Sequence, residues 1–193
     1  MTAAHAIPRG RPRAAGPRTA ATALGRLAGP LLIALAVLMP VNEHAYRVRE
    51  LTGAQWVVEH LLGLRTLLLD APSAPVLYAG GSGGLEHGIA LSTGCSSVLL
   101  IAPFVAVSGL LLLLGRRRPG RIVLGLALAA ALIGAANLGR LTLIVAMQHR
   151  YGGEGFTWTH VLFGSVLMLI AALVALLCYL RLVTRATERR AAP

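Results

Sequence analysis

The stretch Ser96-Ser-Val-Leu-Leu-Ile-Ala-Pro-Phe-Val-Ala-Val-Ser-Gly-Leu-Leu-Leu-Leu-Leu114, followed by Gly115-Arg-Arg-Arg-Pro-Gly-Arg121, decides the fold class. The first part is an apolar run without a charge, close to the roughly 20 residues of helix that a bilayer core takes. The second is a tight basic turn, and arginine-rich turns of this length stay on the cytoplasmic side. The rest of the chain has the same character. Of its 193 residues 56% are hydrophobic and only 13% charged, with a mean hydropathy of +0.72. Soluble domains carry about a quarter charged residues. The reading is therefore an all-α membrane protein, a bundle of about four transmembrane helices with a small outer-face segment.

Working outward, spans are expected over about 20–41, 96–114, 122–148 and 158–180. The first run contains Pro30 and ends at Pro40. A cleaved signal peptide is its competing reading, although no clear A-x-A site follows. Residues 1–19, rich in Pro, Arg, Ala and Gly, read as a disordered basic tail, and 181–193 as a second basic tail. With four spans, thirteen of the eighteen arginines fall on one side, in the two tails, at Arg26 and in the 116–121 turn. Six of the seven acids fall on the other. This places both termini in the cytoplasm and makes the chain a multi-pass plasma-membrane protein. It also accounts for the net charge of +11 without nucleic acid.

The outer-face segment, 42–95, is expected to hold an amphipathic helix over Leu51–Leu69, lying at the interface. A short hairpin follows, with Val76-Leu-Tyr as one strand and Leu85–Leu91 as the other, joined through Gly80-Gly-Ser-Gly-Gly84. The glycine run lacks the Lys-Ser/Thr ending of a phosphate loop. Glu86, His87 and His160 share the outer side, but no ligand spacing supports a metal site, and no cofactor is implied.

In a chain this poor in polar side chains, three widely separated residues converge on the outer face. Cys95 opens the second span within Ser92-Thr-Gly-Cys-Ser-Ser97. A thiol at a helix N-terminus sees the positive end of the dipole, which favours the nucleophilic thiolate. Arg140 lies about 27 Å along the third helix from Ile122, near its outer boundary, with Asn137 one turn earlier on the same face. An arginine at mid-span costs some 2.5–3.5 kcal/mol, so it points to a polar cavity or a partner. His160 stands at the outer start of the fourth span, placed to act as a base beside a thiol. Each has a plainer alternative: Cys95 as a small packing side chain, Arg140 snorkelling to headgroups, His160 as an interfacial histidine. His149, beside Arg150, is a less attractive base. Trp56, Tyr151 and Trp158 read as interface anchors, and Gly125, Gly134 and Gly139 as packing glycines. Cys178 is expected near the inner end of the fourth span, a bilayer away from Cys95.

Cysteine, then arginine on a later span, then histidine at the next outer start is an order that resembles the exosortase/archaeosortase family. Gly94-Cys95-Ser96 looks like its Cys-Ser-Gly nucleophile motif, Asn137-Leu-Gly-Arg140 like its Asn-x-x-Arg pattern, and Thr159-His160 with Gly164 like its histidine motif. Ser97 stands where many members have glycine, and many bacterial members carry additional spans. The resemblance implies a membrane-embedded cysteine transpeptidase. Cys95 would be the nucleophile, His160 the general base and acid, and Arg140 would stabilise the oxyanion or orient substrate, with Asn137 in support. It also implies an exported protein substrate ending in a short motif, a hydrophobic span and a basic cluster, and an acceptor amine or lipid of unknown identity. Two other classes fit the residues alone: a non-catalytic membrane assembly subunit, with Arg140 and Asn137 binding a partner helix, and a small transporter.

Overall fold

The computed structural model describes residues 17–81, 84–85, 87–115 and 118–184. Most of both basic tails, the centre of the glycine turn, Glu86, Arg116 and Arg117 lie outside these residues. The elements run α1 (Pro17–Val41), α2 (Glu43–Val57, extended by a π-helical turn Val58–Leu62), β1 (Arg65–Leu69), β2 (Val76–Gly80), β3 (His87–Ala90), α3 (Val98–Leu114), α4 (Pro119–Thr157) and α5 (Gly164–Thr184). A second π-helical turn, Trp158–Phe163, joins α4 to α5.

α4 does not run straight. Gly152 adopts φ 64°, ψ −146°, a conformation outside the helical region that is essentially restricted to glycine. The contacts on either side show a reversal there. The Cβ position of Gly164 faces Arg140, and that of Gly125 faces Tyr179. The two pairs are symmetric about residue 152, so 119–151 and 153–184 are the two legs of a helical hairpin. Helices α1 and α3 form a second antiparallel pair. They cross where Gly29 and Gly109 meet, each without room for a Cβ because the other's carbonyl oxygen lies 2.9 or 2.8 Å away. Small residues allow such close backbone approach. The two pairs lock together through a buried hydrogen bond of 2.8 Å between Ser108 on α3 and Tyr179 on α5.

Among the described residues, by length and hydropathy one helical stretch, Pro119–Thr184, is long and apolar enough to cross a membrane. α3 is apolar and shorter, and Leu27–Val41 with Glu43–Leu62 forms a pair bent by 78°. The bend comes directly after Pro40, which lacks the N–H needed to continue the helix. Outward-facing leucines are exposed along the whole bundle: Leu31 on α1, Leu110 on α3, Leu124 on α4, Leu169 and Leu173 on α5.

One sequence expectation is corrected. The helix expected over Leu51–Leu69 begins earlier, at Glu43, and stops at Leu62; Arg65–Leu69 is a strand. Gly63, at φ 64°, terminates the helix in the left-handed region. The hairpin becomes a three-stranded antiparallel sheet, β1-β2-β3, with Leu67 opposite Tyr78 and Tyr78 opposite Gly88. An all-α description therefore omits this sheet. Its inner face packs Leu77, Ala79 and Ile89 against Leu51, Ala54 and Val58 of α2 and Leu141, Ile144 and Val145 of α4. Of the three expected packing glycines only Gly125 packs; Gly134 and Gly139 face open space.

Candidate active site

The chain leaves β3 through Leu91, whose N–H donates to the Pro75 carbonyl at 3.0 Å. It then makes one 3-10 turn, Thr93–Cys95, closed by the Cys95 N–H on the Ser92 carbonyl at 3.0 Å. This corrects the position expected for Cys95. The helix begins at Val98, with Ser97 as its N-cap, so the thiol precedes the helix instead of opening it. Two donors at the start of the helix are already taken. The Ser97 N–H donates to Glu50 Oε1 at 3.0 Å and the Val98 N–H to Ser96 Oγ at 3.3 Å. A carboxylate, not the thiol, receives the positive end of the α3 dipole.

Side chains make the sulfur's surroundings instead. Ser92 Oγ donates to Cys95 Sγ at 3.3 Å, and Arg140 Nη2 donates to it at 3.8 Å. His160 Nε2 lies 3.7 Å from Sγ and Nδ1 4.0 Å. Cys95 and Arg140 are 8% and 7% exposed, so the sulfur–guanidinium contact is largely withdrawn from water. Opposite charges attract more strongly there than at the surface.

Local sequence explains each placement. The π-helical turn Trp158–Phe163 lies at the start of α5, and such turns are frequent at functional sites. Buried Thr159 anchors it by donating to the Gly155 carbonyl at 2.7 Å. The His160 ring stacks on Phe156 at 5.1 Å, nearly parallel at 7°. Gly164 completes the site from behind. A Cβ there would stand 2.6 Å from Arg140 Nε and 2.9 Å from the Thr159 carbonyl oxygen. Arg140 Nε is itself buried without a protein hydrogen-bond partner.

Of the residues singled out from the sequence, Cys95, Arg140 and His160 meet. Asn137 reaches the same region from one turn below, donating through Nδ2 to Glu50 Oε1 at 2.7 Å. His149 instead lies against Gly81. Cys178 is a free thiol on α5. Trp56, Tyr151 and Trp158 are exposed, as interface anchors require.

The sequence reading missed one face of α2. Glu43, Arg47 and Glu50 recur at i, i+4 and i+7, with Tyr46 between them, and all four hold the loop that carries Cys95. Arg47 Nη1 donates to the Leu91 carbonyl at 2.8 Å, and Arg47 Nη2 pairs with Glu43 Oε1 at 3.2 Å. Thr93 Oγ1 donates to Glu43 Oε1 at 2.7 Å, and Tyr46 OH and Ser97 Oγ are hydrogen-bonded at 3.2 Å. Ser97 thus uses a hydroxyl that glycine at this position would lack. The helical spacing of these charged residues was the available signal.

A family model described as transmembrane exosortase (Exosortase_EpsH) matches residues 18–177. The chain belongs to the transmembrane exosortase family. The match includes Cys95, Asn137, Arg140 and His160, and the Glu43–Glu50 face of α2 as well. No curated protein and no solved structure matches this exosortase.

Proposed function

We propose that this exosortase family member is a cysteine transpeptidase that cleaves a C-terminal sorting signal of exported proteins at the outer membrane face. The observation that carries the reading is the meeting of Cys95, Arg140 and His160, from three separate elements, within 4.0 Å of one sulfur.

In this reading Cys95 Sγ attacks the carbonyl carbon of the scissile peptide. Negative charge passes to the carbonyl oxygen, and the Arg140 guanidinium, whose Nη2 faces the sulfur, receives it. His160 takes the thiol proton and returns it to the leaving amine as the C–N bond breaks. The thioester on Cys95 is then opened by an acceptor amine, a lipid or water, and His160 takes the acceptor's proton. No cofactor or metal enters these steps.

The membrane arrangement belongs to the same proposal. α1, α3 and the two legs of the α4–α5 hairpin each cross the bilayer, with the exposed leucines against lipid. Antiparallel packing then puts the Arg118–Arg121 turn and both termini on the cytoplasmic side. The site, α2 and the sheet lie at the opposite end. α2, bent by 78° from α1, runs along the outer surface. A substrate with a hydrophobic span and a cytoplasmic basic cluster would present its extended segment at this depth. The mechanism, substrate and topology are tested together by co-expression with an exported protein carrying such a tail. Wild type is expected to release a shortened product, and Cys95→Ala to leave the substrate intact while inserting normally. Processing that survives Cys95→Ala would sink the proposal.

A further inference from the structure

Among the described residues, Glu50 is the one acid that reaches α2, α3 and α4 at once. It sits on α2, caps α3 through the Ser97 N–H at 3.0 Å, and accepts from Asn137 on α4 at 2.7 Å. Both bonds end on the same oxygen, Oε1; Oε2 is buried without a partner. Asn137 is 1% exposed and Ser97 0%, and Glu50 is partly buried, so the node is largely shielded from water. Buried polar atoms left without partners are costly, and a structure retains them only where other bonds hold them in place.

The position of the node matters more than its energy. Ser97 is two residues after Cys95, and Asn137 is one helical turn before Arg140. A rigid link between Ser97 and Asn137 therefore fixes how near the guanidinium comes to the sulfur. That contact, at 3.8 Å, is between elements that pack chiefly lower in the bundle. Apart from the Arg140–Cys95 contact itself, nothing else among the described hydrogen bonds ties the start of α3 to α4 at this depth.

We propose that Glu50 is a positioning residue: its carboxylate clamps the start of α3 to Asn137 and so sets the approach of Arg140 to Cys95. The clamp also explains why Asn137 stands one turn from Arg140: its amide serves Glu50 rather than the substrate. The inference rests on the transpeptidase reading for its purpose but not for its test.

The test is the rate at which Cys95 is alkylated by a membrane-impermeant maleimide in the full-length protein. It is measured for Glu50→Ala, Glu50→Gln, Asn137→Leu and the Glu50→Ala/Asn137→Leu double variant. Protein abundance and unfolding temperature are followed in parallel. Alkylation is faster where a positive charge faces the sulfur, so displacing the guanidinium should slow it severalfold. Glu50→Ala and Asn137→Leu are each expected to show this loss, and the double variant no more than either, because all three break one link. Glutamine retains an acceptor oxygen for both bonds, so Glu50→Gln should recover most of the rate. Wild-type alkylation in Glu50→Ala would overturn the proposal. Faster alkylation in both Glu50→Ala and Glu50→Gln would also overturn it, since the carboxylate would then act through its charge. So would loss of abundance with unchanged alkylation of the folded protein, because the role would then be stability alone. None of these readouts needs a substrate, so the transpeptidase reading stands or falls separately, on processing in Cys95→Ala.

Discussion

Arg140→Ala is expected to lower turnover of a tailed substrate by a factor of about 10²–10³, the usual effect of removing an oxyanion donor. The argument begins with burial. At 7% exposure the guanidinium lies beside Cys95 Sγ at 3.8 Å, where little water screens it. It serves the reaction twice. Before attack it sets a positive charge beside the sulfur; after attack the charge has moved to the carbonyl oxygen, and Nη2, the donor that faces the sulfur, is placed to follow it. Alanine loses both effects, whereas loss of simple substrate binding would raise KM with kcat unchanged. Arg140→Lys should recover only part of the activity, because an ammonium keeps the charge but not the planar fork with its second donor. The check is the processing rate of each variant at saturating substrate, normalised to inserted protein. Alanine processing at the wild-type rate would remove Arg140 from the mechanism.

Gly164→Ala is expected to disable the site through a single added methyl group. Two effects on stability oppose each other. Alanine in a helix gains about 1 kcal/mol over glycine. Overpacking costs about 1–3 kcal/mol, here against Arg140 Nε at 2.6 Å and the Thr159 carbonyl at 2.9 Å. The net change in stability is therefore small. The geometric effect is not, since either the guanidinium or the turn bearing His160 must shift, and a displacement of about 1 Å can cost roughly 10²-fold in rate. The expected result is abundant, folded, nearly inactive protein. Gly139→Ala on α4 is the control, because its Cβ meets nothing within 4 Å. Equal activity in the two variants would contradict the packing argument.

The residues proposed as catalytic are legible in the sequence for a physical reason. In a chain with so few polar side chains, each polar residue within an apolar run needs a purpose. The distribution of arginine placed Cys95, Arg140 and His160 at one end of the bundle. Legibility failed where a residue's meaning depends on a distant partner. Arg65-Thr-Leu-Leu-Leu69 fits helix or strand equally well by hydropathy, and only pairing with Val76–Gly80 decides it. The small polar run Ser92–Ser97 before an apolar stretch places Cys95 at a helix N-terminus; the 3-10 turn that sets it three residues before the helix leaves no mark in composition. Glu43, Arg47 and Glu50 enter the sequence reading only as part of the outer-side charge balance. Their spacing on one face of α2 was visible, but the backbone groups they bind, the Leu91 carbonyl and the Ser97 N–H, have no sequence signature.

The central claim is that Cys95 is an activated nucleophile at the outer face, tuned by His160. The most direct measurement is labelling of intact cells with a membrane-impermeant, thiol-reactive probe, comparing wild type with Cys95→Ala and His160→Ala. The account predicts rapid labelling in wild type, none in Cys95→Ala and slower labelling in His160→Ala. No labelling of wild type at any pH up to the free-thiol range of about 8.5 would contradict it, and would return both the topology and the role of Cys95 to question.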